Sequence, residues 1–146
     1  MEEKKPSIER IFFTDYITTF SAISLVIAVV AFLIDRFIQS LGLGEQFPFF
    51  VGLVCIIGVA AIVWRIRLIS SAFEFGWEVE GDIVGVSFFR DRGSVTYIYT
   101  IQGERYQTRN AIMKHRLTRS LVQGQKVVIM ANKDNLKIAF IRDIYV

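Results

Sequence analysis

Two apolar runs without a charged residue stand near the start of the chain, Tyr16 to Ile34 and Phe47 to Trp64. At about 1.5 Å of rise per residue, each predicts a helix able to cross a hydrocarbon core of roughly 30 Å. The connector from Asp35 to Gln46 carries Gly42 and Gly44 and reads as a tight reversal, with part of it extending the first helix. Beyond about Phe75 the period changes to two. Val84, Val86 and Phe88 alternate with Gly85 and Ser87, and Asp91-Arg92-Gly93-Ser94 has turn chemistry.

The alternation continues to the end of the chain. Val95, Tyr97, Tyr99 and Ile101 share one face of a strand, Gln102-Gly103-Glu104 makes the next turn, and a short strand follows around Arg105 to Thr108. From Asn110 to Leu121 the pattern breaks, with Met113, Leu117 and Leu121 four apart, which fits one or two helical turns or an ordered loop. Val127 to Ala131, a turn over Asn132 to Asn135 and an alternating run from Leu136 to Phe140 complete about five strands. The fold class expected is a membrane-anchored α+β protein: a two-helix transmembrane hairpin, then a small, mostly antiparallel β-barrel or rolled sheet. The corresponding division is an N-terminal segment over 1–15, the helical hairpin over 16–69 and the β domain over 70–146.

Composition supports this split. With 53% hydrophobic and 21% charged residues in 146, and a mean hydropathy of +0.44, the chain is too apolar for an ordinary soluble domain and too charged to lie wholly in lipid. The polar part has about 70 residues, near the size at which one core is marginal. Cys55, the single cysteine, lies in the second apolar run, so an intramolecular disulfide is excluded. The first run reads as a retained anchor and not a secretory signal: Glu2, Glu3 and Glu9 precede it, it exceeds a signal core, and no convincing small-x-small site follows.

Basic residues near the runs set an orientation. Lys4, Lys5 and Arg10 precede the first and Arg65 and Arg67 follow the second, against Arg36 in the connector, so both termini are expected in the cytoplasm. Phe12, Phe13, Tyr16, Trp64, Phe73, Phe75 and Trp77 form an expected interfacial belt on that side. The runs hold no Asp, Glu, Lys, Arg or His, which argues against a channel or transporter acting alone. Ser24, Ala28, Gly52, Cys55, Gly58 and Ala61 supply small residues for close helix packing.

Within the polar half, Glu80-Gly81-Asp82-Ile83-Val84, Phe89-Arg90-Asp91-Arg92-Gly93, Tyr97-x-Tyr99, Gly103-x-x-Tyr106, Gly124-Gln125-x-Val127 and Ile141-Arg142-Asp143-x-Tyr145 follow one another in an order that resembles the bacterial family called domain of unknown function 3592. The resemblance runs from Gly76 to Val146. It implies a small β domain behind transmembrane helices, at the inner membrane of a bacterial cell, and no particular activity. Where that family often has Asp/Asn-Pro in its last hairpin, this chain has Asn135-Leu136.

Catalytic chemistry has little to stand on. His115, the only histidine, sits among Lys114, Arg116 and Arg119 and reads as a surface residue. Glu78, Glu80 and Asp82 alternate on one strand face and read as solvated in preference to a cation site. No cofactor and no enzymatic activity are expected. The strongest polar feature is the acid-free run from Arg105 to Lys126, with Arg105, Arg109, Lys114, Arg116, Arg119 and Lys126. These are candidate contacts for anionic lipid headgroups or for a phosphate-bearing ligand, on which Tyr97, Tyr99 or Tyr106 would stack unless they are core residues. Nucleic acid is disfavoured by the anchor and a net charge of only +3.

The function expected is a scaffold or accessory subunit of a membrane assembly, with the bilayer and other membrane subunits or further copies of itself as partners. The alternative is a ligand-gated membrane effector whose β domain senses a small molecule such as a cyclic nucleotide, an analogy of layout alone.

Overall fold

The computed structural model describes residues 5–38, 44 and 46–146. A short helix α1 (Ile8–Thr14) leads into α2 (Tyr16–Ile38), and α3 (Phe47–Phe75) returns alongside it. The strands are β1 (Trp77–Phe89), β2 (Arg92–Ile101), β3 (Glu104–Met113), β4 (Lys126–Ala131) and β5 (Ala139–Ile141), with one-turn helices α4 (Arg116–Arg119) and α5 (Arg142–Tyr145). Both long helices are long and apolar enough to cross a membrane. Their side chains are mostly exposed, Val26, Ile27, Ile56 and Ile57 among them, as expected of helices hydrophobic all round. They pack on each other where Gly58 leaves room for Leu25, whose side chain a Cβ would contact at 2.9 Å.

Both helices outrun the apolar runs that predict them. α2 continues through Asp35 to Ile38, so the connector is shorter than expected; Gly42 lies outside the described residues, while Gly44 has φ +84°. α3 is one uninterrupted helix of 29 residues, and its last third extends about 16 Å beyond Trp64. In that stretch Ile69, Ala72 and Phe73 are buried in the β domain. Phe73 is therefore core, packed edge-on against Tyr145, and does not join the expected interfacial belt.

Gly76 ends α3 and starts β1. A Cβ there would collide with the carbonyl oxygens of Ala72 and Ala131, so the chain can reverse this closely only with glycine.

The sheet is antiparallel, in the order β3-β2-β1-β4-β5. β1 is long enough to serve two partners: Trp77 to Asp82 pair with β4 and Gly81 to Phe89 with β2. The register shifts between Ile83 and Gly85, and such a bulge adds the twist that curls a sheet. The β1–β2 turn is Arg90-Asp91, with Arg90 at φ 55°. It lies earlier than the predicted Asp91-to-Ser94 turn because Arg92, Gly93 and Ser94 pair with Phe89, Phe88 and Ser87. Gln102 and Gly103, at φ 54° and 85°, make the two-residue β2–β3 turn with both centres left-handed.

Two further expectations change. β3 does not stop at Thr108: Arg109 to Met113 stay paired with Arg92 to Thr96; the helical turn expected from the spacing of Met113, Leu117 and Leu121 follows only after it, as the single turn α4. The alternating run Leu136 to Phe140 is strand only from Ala139, because Leu136 and Lys137 turn so that their carbonyls face the barrel.

Those carbonyls close the sheet into a nearly complete barrel. No backbone ladder joins β5 to β3. Instead Tyr99 Oη donates to Leu136 O, Thr108 Oγ1 to Lys137 O at 3.0 Å, and Tyr97 Oη and Asn110 Nδ2 to Ala139 O at 2.5 and 2.8 Å. Side chains on the inner faces of β2 and β3 thus satisfy the free edge that an open sheet would leave.

The core is not confined to the strands. Ile11 of α1 and Ile69 and Ala72 of α3 are as fully buried as Ile129 and Tyr97, and Ser7 N–H donates to Tyr145 O at 2.8 Å. α1 and the end of α3 therefore pack into the same core as the strands, across the boundaries at 15 and 69.

Two measurements follow from this packing. Tyr99→Ala in the full chain should cost about 3 kcal/mol of stability in denaturant titration, while a fragment over 76–146, which lacks Ile11, Ile69, Ala72 and Phe73, should show no cooperative unfolding transition. Burial raises the Tyr97 hydroxyl well above its ordinary value, as does the proximity of Tyr145 and Tyr99. A raised pKa favours the protonated form in the fold. Stability should hold below about pH 10, the unfolded value, and fall as pH rises further, by up to about 1.4 kcal/mol per pH unit for each such tyrosine. Tyr97→Phe should make that alkaline loss less steep in pH-dependent melting.

Candidate functional site

Asp15 sits where α1 stops and α2 begins, in extended conformation with φ −86° and ψ 115°. It is wholly buried, and Arg65 of α3 is nearly so. Arg65 Nη2 and Nε reach Asp15 Oδ1 at 2.8 and 3.0 Å, while Thr18 N–H and Oγ1 donate to Oδ2 at 3.0 and 2.9 Å. The carboxylate thus caps α2 and pairs with α3 at once. Above the pair, the Arg65 guanidinium lies 5.1 Å from the centre of the Phe140 ring, and Asp15 forms an isolated bridge with Ile112 at the end of β3. Arg65, counted as a free basic residue in the sequence, is neutralised here.

Tyr145 closes this junction from below. Its hydroxyl is buried without a hydrogen-bond partner among the described residues, and burial, reinforced by the negative charge of Asp15, drives its pKa far up.

Beside the junction, on the outer face of β1, β2 and β3, is a groove of about 390 Å³ lined by Tyr16, Ser87, Phe89, Arg92, Ser94 and Arg109, among others. A second hollow of about 360 Å³ adjoins it around Tyr16, Phe89, Arg90, Arg92 and Met113. Phe89 at the hairpin tip is 61% exposed and lies between two guanidiniums, Arg90 at 5.4 Å and Arg92 at 5.8 Å from its ring centre. Arg109 Nη2 donates to Ser94 Oγ at 2.9 Å, leaving its other N–H groups to face outward.

The basic run is exposed throughout but does not come together. Arg105 stands opposite Thr100 at the far end of β3, four residues from Arg109 opposite Thr96. Lys114 follows the strand, its backbone N–H on Asp91 O at 2.8 Å. Arg116 borders a separate hollow of about 510 Å³ with Arg10, Phe13 and His115, and Arg119 ends α4. The cation that shares a groove with Arg109 is Arg92.

The tyrosines are placed as structural groups. Tyr97 and Tyr99 are buried with their hydroxyls committed to barrel closure. Tyr106 stacks on Tyr99 at 5.8 Å and its hydroxyl donates to Glu104 Oε2 at 2.6 Å, the main reason its pKa is raised. Of the two roles open to Tyr97 and Tyr99 in the sequence, core or stacking, burial places both in the core.

His115 is exposed and stacks on Phe13 at 6.2 Å. Glu78 pairs with Arg142 at 2.5 Å, and among the described residues no group of acidic, histidine or cysteine side chains could hold a metal ion.

Sequence reasoning passed over Asp15, Arg90 and Arg92. The signal for the tip was parity: Phe89 falls on the opposite face from Val86 and Phe88, so an aromatic at a turn was bound to point outward. Asp15 had a weaker signal, an acid directly before an apolar helix and three residues ahead of Thr18.

Single removal of either charge should be costly because it leaves the other buried alone. Asp15→Ala or Arg65→Met should each destabilise the full chain by about 3–5 kcal/mol, and the double variant should lose less than the sum. Additive losses in a double-mutant cycle would mean the two are not coupled.

Comparison of this chain with protein families, with curated proteins and with solved structures finds no match.

Proposed function

We propose that this protein is a non-enzymatic, membrane-anchored β module that serves as a scaffold or accessory subunit of a membrane assembly. The observation that carries this reading is α3: one helix exposes an apolar surface over its first two thirds and, over its last third, buries Ile69, Ala72 and Phe73 in the β core. An anchor joined to its domain by continuous helix, and locked by Asp15–Arg65, holds that domain at a fixed distance and angle from the bilayer. Such rigidity suits a presenting or bracing role. In this reading α2 and α3 cross the inner membrane of a bacterial cell, both termini are cytoplasmic, and the partners are the bilayer with other membrane subunits or further copies of the chain. With Arg65 neutralised, Lys5, Arg10 and Arg67 still outweigh Arg36.

The effector alternative has less support, since Tyr97 and Tyr99 are committed to the barrel seam, and Arg105, Arg109, Lys114, Arg116 and Arg119 are spread over β3, the segment after it and α4.

Topology tests the anchor. In a Cys55→Ser background, Gln46→Cys should react with an impermeant thiol reagent in intact spheroplasts, and Ser120→Cys only after lysis; the reverse pattern would invert the orientation, and labelling of both would remove the membrane crossing. The binding class is tested separately by calorimetry of the detergent-solubilised chain with cyclic dinucleotides. No heat of binding is expected. Saturable binding abolished by a single Arg→Lys change would replace the scaffold with the sensor.

A further inference from the structure

The path of the chain brings the β1–β2 hairpin back to the level at which α2 begins. From Arg65, beside Asp15, α3 continues to Phe75, about 15 Å, before the chain reverses at Gly76. β1, with 13 residues, is long enough at about 3.3 Å per residue to recover that distance even when tilted. Both outer-face hollows are bordered by Tyr16 together with Phe89 and Arg92, which puts the hairpin tip at the start of α2. Tyr16 is the first residue of the first helix long and apolar enough to cross a membrane. It stacks on Phe20 at 5.8 Å, and Phe20 is exposed on the apolar helix above it.

An exposed aromatic between two arginines at this level has the composition of an interfacial contact: the ring enters the headgroup boundary while the guanidiniums meet lipid phosphates. The groove behind it is cationic, bordered by Arg92 and Arg109 with Ser87 and Ser94, and among the described residues no acidic side chain lines it. Asp91 stands at the adjoining hollow, against Arg90 and Arg92. The other basic hollow, near Arg116, includes Glu9 and is the weaker anion site.

We propose that the β1–β2 tip is a second membrane contact, inserted through Phe89, and that the groove between it and α2 holds the phosphate of an anionic phospholipid from the same bilayer through Arg92 and Arg109. The bilayer is the occupant because the groove is continuous with the apolar surface of α2: acyl chains run along Phe20 while the headgroup stays at Tyr16. This rests on the reading that α2 and α3 cross the membrane. It makes the domain touch the bilayer at a point other than the helices, and gives the fixed angle of the domain a lipid-dependent support.

The experiment uses the full chain in phosphatidylglycerol/phosphatidylcholine liposomes. In a background of Trp64→Phe and Trp77→Phe, a Phe89→Trp probe should be quenched by lipids brominated near the headgroup end of the acyl chain, and shielded from aqueous acrylamide. A parallel chain carrying only Trp77→Phe reports from Trp64 at the end of the second apolar run. If Trp64 is not quenched by brominated lipid, the membrane-crossing reading fails. If Trp64 is quenched while the Phe89→Trp probe answers only to acrylamide, the tip contact alone is overturned.

The groove is read by native mass spectrometry. The unaltered chain should retain phosphatidylglycerol several-fold over phosphatidylcholine, and Arg92→Gln with Arg109→Gln should bring that ratio close to one. Lys133→Gln, over Trp77 at the start of β1 and so at the end of that strand remote from Phe89, should leave it unchanged, and millimolar inorganic phosphate should not displace the lipid. An equal loss with Lys133→Gln would reduce the effect to general surface charge and overturn the site; displacement by inorganic phosphate would reassign the groove to a soluble anion.

Discussion

The buried pairing of Asp15 with Arg65 is the contact around which the molecule is organised. It joins two residues 50 positions apart at the point where three structures meet: the end of α1, the start of α2 and the middle of α3. Each charge would be prohibitively expensive to bury alone. Together, with Thr18 on the carboxylate and Phe140 under the guanidinium, they are satisfied. The bidentate geometry fixes the rotation of α2 relative to α3, and Phe140 ties that rotation to β5. An apolar contact in the same place would hold the helices together but would leave their angle softer, since dispersion has little directional preference.

From that point the barrel follows. α3 cannot stop at Trp64 if Arg65 must turn inward, and its continuation supplies Ile69, Ala72 and Phe73 to a core that the short strands could not fill. α1 supplies Ile11 on the other side. A domain of about 70 residues buries too little surface to be secure by itself, and the helices make up the shortfall. The helices and the sheet therefore share one core, and the hinge between them that a two-part layout suggests is filled with packed side chains.

Barrel closure uses the same economy. β5 has three residues, too few for a ladder on both sides, and the gap to β3 is bridged by Tyr97, Tyr99, Thr108 and Asn110 reaching backbone carbonyls. These polar side chains line the inner face of otherwise apolar strands because they carry hydrogen-bond donors to a seam that would otherwise have none. Their commitment to the seam takes the tyrosines away from any ligand. The outer face, with Phe89, Arg92 and Arg109, is left as the surface on which the chain can meet something else.

The sequence by itself determined the two apolar helices, their separation from an antiparallel sheet, and the inward face of β2 at Val95, Tyr97, Tyr99 and Ile101. All of these follow from local periodicity, and a period of 3.6 or 2 is written in neighbouring residues. It also placed the Gln102-Gly103 turn, where two successive left-handed residues demand a short-range signature. It misplaced the β1–β2 turn, cut β3 short and lengthened β5, because the extent of a strand is decided by the partner across from it, and partners are remote in sequence. Only the tertiary structure decided that Arg65 faces Asp15 instead of water, that Phe73 is core, and that Arg109 shares a groove with Arg92 and not with Arg105 or Arg116. Each is a meeting between residues brought together by the return of α3 and β1, and no pattern along the chain encodes a distance that the fold has yet to create.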